Sequence, residues 1–409
     1  MNVLAVSEPH LVSSHAAAWG AVLAMTLCVS ALIASEFMPV SLLTPIASDL
    51  HLTEGQAGQA ISISGVFAVL TSLLVSGLTR RIDRRSVLLG LTLLMVASGA
   101  IVALAANYAA FMAGRALLGI CIGGFWSMST ATVMRLVPRD RVPRALAVLN
   151  GGNALATTVA APLGSFLGAI IGWRGAFFCV VPVAAATFLW QWAAMPSMPP
   201  DRRTGTGNVF GVLRHPQVPH GMLAILFLFM GQFALFTYLR PFLETVTRVS
   251  VTGLSLILLL LGVAGLLGTY LIGAILRTRL YSVLVVIPLG MASIAVTLIA
   301  LGHWPIATAF LLGGWGLVGT PAPVGWGTWL SKTLPHDAEA GGGLMVAVIQ
   351  LAITLGASLG GFLFDSSGFR STFALSAALL FGSALFAFLA WRGPRRKGEV
   401  TAIYTGTHH

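Results

Sequence analysis

The sequence predicts an all-α membrane protein: twelve transmembrane helices in two pseudo-symmetric six-helix bundles. Three observations predict it. Only 9% of the 409 residues are Asp, Glu, Lys or Arg, 57% are hydrophobic, and mean hydropathy is +0.91. Soluble chains carry about 25% charged residues, so the solvent of this surface is lipid. The apolar residues also fall into runs of about 20, the length a helix needs to cross the hydrocarbon. Finally, the second half of the chain repeats the first.

The runs can be taken in order. Residues 18–44 form the first, and the polar stretch from Asp49 to Gln56 separates it from 57–78. A basic loop with Arg80, Arg81, Asp83, Arg84 and Arg85 precedes 87–105, and Asn107 precedes 109–134, which stops before Pro138. The fifth run, 145–170, ends at Gly172-Trp-Arg174, and the sixth covers 175–196. A segment with Pro199, Pro200, Asp201, Arg202 and Arg203 then interrupts the apolar pattern. Six further runs follow at 218–242, 253–276, 281–302, 305–330, 342–364 and 372–391. The expected organisation is an N-terminal bundle over 1–196, a central cytoplasmic loop over 197–217, and a C-terminal bundle with its tail over 218–409.

Basic residues orient the chain. Loops after even-numbered spans and the tail hold the four arginines of the 80–85 loop together with Arg135, Arg139, Arg141, Arg144, Arg202, Arg203, Arg214, Arg277, Arg279, Lys332, Arg392, Arg395, Arg396 and Lys397. Loops on the other side hold Arg174, Arg240, Arg248 and Arg370. The positive-inside bias therefore predicts that both termini are cytoplasmic. The same placement explains the net charge of +11 without nucleic acid. The first apolar run lacks a basic n-region and exceeds h-region length, so no cleavable signal peptide is expected.

The repeat appears at an offset of 196 residues, which lays Ala161-Pro-Leu-Gly-Ser-Phe-Leu-Gly-Ala-Ile-Ile-Gly-Trp-Arg174 on Ala357-Ser-Leu-Gly-Gly-Phe-Leu-Phe-Asp-Ser-Ser-Gly-Phe-Arg370. Leu136-Val-Pro-Arg-Asp140 is echoed by Leu334-Pro-His-Asp337. Duplicated halves are the mark of alternating-access carriers, whose substrate site lies between the halves near the midplane.

Several motifs carry a resemblance. Gly77-Leu-Thr-Arg-Arg-Ile-Asp-Arg-Arg85 is similar to a basic gating loop, with Asp83 near the usual glycine and Arg80 near the usual aspartate. Arg115-Ala-Leu-Leu-Gly119 is similar to a membrane-embedded Arg-x-x-x-Gly, and Pro162, Gly164 and Gly168 to an antiporter motif, with Ala161 in place of its glycine. On these runs the chain resembles the major facilitator superfamily over essentially its whole length. Glu36-Phe-Met-Pro-Val-Ser-Leu-Leu-Thr-Pro45, Gly123-Gly-Phe-Trp-Ser-Met-Ser129, Met134-Arg-Leu-Val-Pro138, Gly231-Gln-Phe-Ala-Leu-Phe-Thr-Tyr-Leu-Arg-Pro241 and Pro323-Val-Gly-Trp-Gly-Thr-Trp329 resemble its drug:proton antiporter branch, among the members that export purine ribonucleosides. That resemblance implies a monomeric, proton-coupled antiporter of the inner membrane, with a small purine ribonucleoside and protons as its partners. The alternatives it leaves open are a drug or sugar efflux antiporter, a facilitative carrier, and a transporter-like membrane sensor.

Two charges lie deep in spans. Glu36 is about nine residues from the outer end of span 1, and Arg115 about seven from the outer start of span 4, so at about 1.5 Å per residue they share a level to within ~3 Å. Intramembrane charges are paired or functional. Two readings follow: Glu36 carries the coupled proton under the influence of Arg115, or the two form a static pair. Arg240 and Glu244 are spaced to pair along one helix face. A nucleoside needs aromatic faces and amides, for which the candidates are Trp126, Asn150, Asn153, Gln232, Tyr238, Trp326 and Gln350, with Trp315 and Trp329 beside them. Each amide has an alternative role as interhelical glue, and Trp329 fits an interfacial belt. Gly314-Trp-Gly-Leu-Val-Gly319 spells GxGxxG inside an apolar span, with no preceding strand, and reads as helix packing. No P-loop or HExxH occurs, and the three cysteines stand apart. Neither enzyme chemistry, a cofactor nor a metal is expected.

Overall fold

The computed structural model describes residues 18–79, 81–199, 211–334 and 338–392. Arg80, Pro200, Asp201, Arg202, Arg203, Asp337, Arg395, Arg396 and Lys397 lie outside the described residues, as do the side chains of Arg139 and Arg277. Thirteen α-helices occur among the described residues: α1 (Trp19–Asp49), α2 (Glu54–Leu78), α3 (Arg84–Ala103), α4 (Tyr108–Leu136), α5 (Val142–Phe178), α6 (Val180–Ala194), α7 (Val218–Phe236), α8 (Leu239–Thr245), α9 (Val251–Leu301), α10 (Pro305–Gly319), α11 (Ala322–Thr333), α12 (Ala338–Ser367) and α13 (Phe369–Arg392).

Helix starts follow local chemistry. Thr53 and Gln56 close a reciprocal capping box on α2, and Asp83, Asn107 and Ser250 accept backbone N–H bonds at the starts of α3, α4 and α9. Ten stretches among the described residues are long and apolar enough to span a membrane. One of them, Val142–Ala194, has 53 residues. At about 1.5 Å per residue that is far more than one crossing, and it turns back at Gly172, where φ is +73°. Pro305–Thr333, broken at Thr320 and Pro321, makes one crossing from α10 and α11. Twelve crossings result.

The helix breaks differ from the expected loops in instructive ways. No loop separates the eighth and ninth spans: α9 runs on through Arg277 to Leu280, with non-helical backbone at Arg279 only. That tetrapeptide contains neither Gly nor Pro, so the break is confined to Arg279 and the two crossings follow each other without a loop. The seventh span, expected as one helix, is divided into α7 and α8 at Thr237 and Tyr238. Pro241 cannot donate to the Thr237 carbonyl four residues earlier. In α5 the backbone remains helical through Pro162, and the turn comes at Gly172.

Two hydrophobic cores form. One draws mainly on α1 to α6 and takes in Tyr238, with Phe111, Phe125, Trp173 and Phe177 among its largest side chains. The other draws mainly on α7 to α13, with Phe242, Trp315, Trp326, Trp329 and Phe373, and reaches Val40, Ile61 and Ala161 of α1, α2 and α5. Trp329, expected at an interface with lipid headgroups, is fully buried against Gly221. The repeat seen in sequence is also present in the backbone. The residues with positive φ form two pairs, His51 with Arg248 and Gly172 with Gly368. Each of the two glycines precedes an aromatic residue that carries the following arginine over its ring, Arg174 on Trp173 and Arg370 on Phe369.

Candidate functional site

Chain direction defines two ends of the molecule. At the near end α1 begins and α13 stops; at the far end α1 hands over to α2. The hydrogen bonds joining α1–α6 to α7–α13 among the described residues all lie between the middle and the far end. Asp365 accepts from Thr53 Oγ1 (2.6 Å) and the Gly55 amide (2.9 Å). Ser358 donates to Gln59 Oε1 (3.0 Å) and meets Ser62 (2.9 Å). Ser62 and Thr354 exchange bonds to each other's carbonyls, Ser255 meets Ser165 (3.0 Å), and Thr158 donates to the Gly262 carbonyl (3.3 Å). Small residues permit this approach: Gly58 lies under the Tyr238 ring, and Gly55 faces Gly361.

Prolines explain two further bonds. A proline inside a helix leaves the carbonyl four residues earlier without its donor. Pro39 and Pro45 both lie inside α1, so the carbonyls of Ser35 and Ser41 are released. Arg115 of α4 donates to Ser35 O at 2.7 Å, and Arg240 of α8 donates to Ser41 O. Arg240 is also paired with Glu244 at 2.7 Å, as their spacing predicts.

The two deep charges are neighbours, though not in the expected way. Arg115 is fully buried and spends its guanidinium on Ala60 O (3.1 Å), Ser35 O (2.7 Å), Glu36 O (3.2 Å) and Ser64 Oγ (3.2 Å). It therefore holds the main chain of Glu36, while the ion pairs among the described residues are Arg141–Asp140, Arg174–Asp49 and Arg240–Glu244. Glu36 is 4% exposed, and its carboxyl feels the Arg115 charge and the nearby Gln350 amide of α12.

Beside Glu36, Phe37 enters a cavity of about 60 Å³ between the two groups of helices. Its polar lining is Thr157 and Thr158 of α5, Gln232 of α7, Trp315 of α10 and Thr320. Phe37 stacks on Phe233 (5.8 Å between centroids), and Phe236 stands edge-on to both. Gln232 Oε1 and Trp315 Nε1 are buried without a hydrogen-bond partner. Polar groups without a protein partner beside aromatic rings are the kind of lining that binds a flat, polar small molecule. The volume is well below the roughly 300–1,000 Å³ of small-molecule sites, so a ligand of nucleoside size requires the cavity to widen.

Of the other expected substrate contacts, none lines this cavity. Tyr238 is fully buried and donates to the Ala357 carbonyl (2.7 Å). Trp326 lies edge-on to Trp329, and Trp126 edge-on to Phe125. Asn150 is exposed and bonds back to Leu146 O (2.9 Å), and the Asn153 carbonyl accepts from Thr157. Gln350 is buried on α12 with its Oε1 unpartnered. Phe37, Phe233, Phe236 and the α5 threonines are not among the residues expected from sequence, because their types are too common in apolar spans to stand out. Gly164 and Gly168 bring α5 onto Ser41 and Leu42 of α1, next to the cavity-lining Ala161.

Among the described residues of the basic loop, Asp83 and Arg85 bond to the end of α6 and the segment that follows it. Asp83 accepts from Ser197 Oγ and from the amides of Met198 (2.9 Å) and Arg85 (2.8 Å). Arg85 donates to Trp192 O (2.6 Å) and Arg135 to Pro199 O (2.8 Å). Arg81 is exposed, and Arg84 begins α3. Desolvation pushes the Asp83 carboxyl up, but the bonds from Ser197, Met198 and Arg85 and the charge of Arg135 outweigh it and hold the group below its ordinary value.

Comparison with known proteins fits this architecture. The family model for the Major Facilitator Superfamily matches residues 23–340. The chain is 59% identical over 384 residues to the transcription regulatory protein OpdE of Pseudomonas aeruginosa, covering 93% of this chain and 96% of that one. It is 41% identical over 367 residues to the purine ribonucleoside efflux pump NepI of Salmonella paratyphi B, covering 90% and 92%. Among solved structures it resembles a D-xylose-proton symporter (TM-score 0.76, 15% identity, 92% and 98% coverage). It also resembles an inward-facing bacterial homologue of the lysosomal transporter Spinster (TM-score 0.74, 16% identity, 94% and 99% coverage). The chain belongs to the major facilitator superfamily and is a multi-pass membrane transporter for a small molecule, not an enzyme.

Proposed function

We propose that the protein is a proton-coupled antiporter that exports purine ribonucleosides across the inner membrane by alternating access. The observation that carries this reading is the pair of unpartnered groups, Gln232 Oε1 and Trp315 Nε1, in an aromatic-walled cavity one residue away from the buried acid Glu36. A purine offers a flat face for the phenylalanines, an edge donor for Gln232 and an edge acceptor for Trp315. The 41% identity to a purine ribonucleoside efflux pump supports the same cargo. Glu36 is the coupling acid, and Arg115 holds the main chain around it.

The two moving units are the six-crossing bundles over 1–196 and 218–409, joined by 197–217. With both termini cytoplasmic, as the arginine distribution favours, the far end is the outer side. The bonds between bundles then describe a carrier sealed outside and able to part inside. The chain acts as a monomer, because cavity and acid are both complete within one chain.

The test is flux in proteoliposomes holding a pH gradient, with labelled inosine, labelled guanosine and an unrelated cationic drug. Gradient-driven movement of the nucleosides is expected. Movement of the drug with silence for both nucleosides contradicts the cargo assignment.

A second reading has one observation behind it: the 59% identical relative is named a transcription regulatory protein. In that reading the bundle binds its ligand and signals by conformation. Saturable nucleoside binding with no flux in the same liposomes favours it.

A further inference from the structure

The polar lining of the cavity is of two chemical kinds. Gln232 of α7 and Trp315 of α10 present an amide oxygen and an indole N–H that have no partner. Thr157 and Thr158 of α5 present hydroxyls whose hydrogens are already placed. Thr157 Oγ1 donates to Asn153 O (2.8 Å), and Thr158 Oγ1 to Ala154 O (2.9 Å), with a longer contact to Gly262 O of α9 (3.3 Å). A hydroxyl has one hydrogen and two lone pairs, so what these two side chains still offer the cavity is acceptors. Their match is a ligand group that donates. The base edge of a purine, with its mixed donors and acceptors, suits Gln232 and Trp315, whereas two neighbouring hydroxyls suit the threonines.

We propose that Thr157 and Thr158 read the sugar of the substrate, accepting hydrogen bonds from the 2′,3′-diol of a ribose, and so make the carrier selective for nucleosides that possess it. The proposal rests on the nucleoside-export reading and adds recognition of the half of the cargo that Gln232 and Trp315 do not touch.

The packing of α5 on α9 gives this wall a second function. Gly262 lets the two helices touch: a Cβ there would meet Thr158 O at 2.6 Å and Thr158 Cγ2 at 2.9 Å. The third hydroxyl of the cavity, on Thr320, lies against Gly265, three residues further along α9. Because α5 and α9 belong to different bundles, widening the cavity to nucleoside size draws Thr158 away from Gly262. The 3.3 Å contact yields, since Ala154 O at 2.9 Å keeps the Thr158 hydrogen within its own helix. The Gly262 carbonyl is then free to accept. A diol can donate one hydroxyl to Gly262 O and the other to Thr158 Oγ1, so the sugar replaces the lost contact with a link between bundles that runs through itself. Cargo without the diol forfeits that link.

The test measures KM in proteoliposomes for inosine and for 2′,3′-dideoxyinosine, which has the same base and lacks both hydroxyls. In wild type the inosine KM is expected to be lower by about tenfold or more, the effect of losing one or two bonds. Thr157→Val/Thr158→Val keeps the branched shape of both side chains without their hydroxyls. It is expected to raise the inosine KM more than the dideoxyinosine KM and to narrow the ratio to about threefold or less. Thr157→Ser/Thr158→Ser, which retains both hydroxyls, is expected to hold the ratio within about twofold of wild type. A role in packing alone moves both KM values together and leaves the ratio where it was. Equal KM values for the two nucleosides in wild type overturn the proposal without recourse to any variant, and so does a valine variant with the wild-type ratio. Neither flux nor binding of inosine in wild type overturns instead the reading of the cargo on which the proposal rests.

Discussion

Arg115 and Pro39 are on different helices, yet the structure makes their contributions to stability depend on each other. Arg115→Met removes four hydrogen bonds. Ala60 O retains a bond from Ser64 Oγ, and neither Ala60 nor Glu36 is followed by proline four residues on, so both keep their helical donors. Only Ser35 O is left without a donor, since Pro39 supplies none. Interhelical bonds in membranes average about 0.6 kcal/mol each, and an orphaned buried carbonyl costs about 1–3 kcal/mol. The substitution is therefore expected to cost roughly 3–5 kcal/mol. Pro39→Ala returns the missing N–H, so it should stabilise the Arg115→Met protein more than the parent by roughly 1–3 kcal/mol. The assay is a double-mutant cycle on unfolding free energy in detergent micelles, run in a Glu36→Gln background so that an uncompensated carboxylate does not enter. Additivity within about 0.5 kcal/mol, the value for independent sites, refutes the argument.

Three further outcomes follow from the same geometry. Gln232→Ala and Trp315→Phe should each raise the nucleoside KM about tenfold, the equivalent of roughly 1.4 kcal/mol for one lost bond, with unchanged membrane expression; unchanged KM in both removes them from the site. Cysteines in place of Ser62 and Ser358, on a background lacking the native cysteines, should cross-link under oxidation and stop transport until reduced, because the two hydroxyls are 2.9 Å apart at the bundle seam; full transport while cross-linked contradicts alternating access through that seam. Asp83 has a folded value below its ordinary one, so its hold on Ser197 and Met198 is complete above the ordinary carboxylate value and lost as pH falls through the folded one. A spin label at Pro199 should therefore gain mobility on acidification in wild type and be mobile throughout in Asp83→Asn; a pH-independent spectrum identical in both refutes this.

How much of the fold and the site is legible in sequence varies by residue. Apolar run length announces the crossings, and the repeat is visible because Gly172 and Gly368 fill turns that require positive φ. Depth along a helix is countable, so residue numbers alone set Glu36 and Arg115 at one level. Which way a side chain points around the helix is not countable when spans are apolar on every side. That is why Arg115, expected at the Glu36 carboxylate, is found on carbonyls, and why Gln350, expected at substrate, is buried away from the cavity. Asn150 shows the same limit, since its amide bonds within its own helix. The released carbonyls at Ser35 and Ser41 are readable in principle from Pro39 and Pro45, but sequence does not say which arginine arrives. The role of the basic loop depends on conformation: Asp83 answers to Ser197 and Met198 in a state whose described bundle-to-bundle bonds lie between the middle and the far end.

The central claim is that nucleoside and proton move in opposite directions through one machine. Its most direct test is the reverse experiment: proteoliposomes with a pH-sensitive dye inside and no imposed pH gradient, given an inosine gradient across the membrane. Wild type should drive protons against the direction of inosine flow, and Glu36→Gln should show none of that proton movement. Inosine flux with no proton movement in wild type, or equal proton movement in Glu36→Gln, contradicts the account.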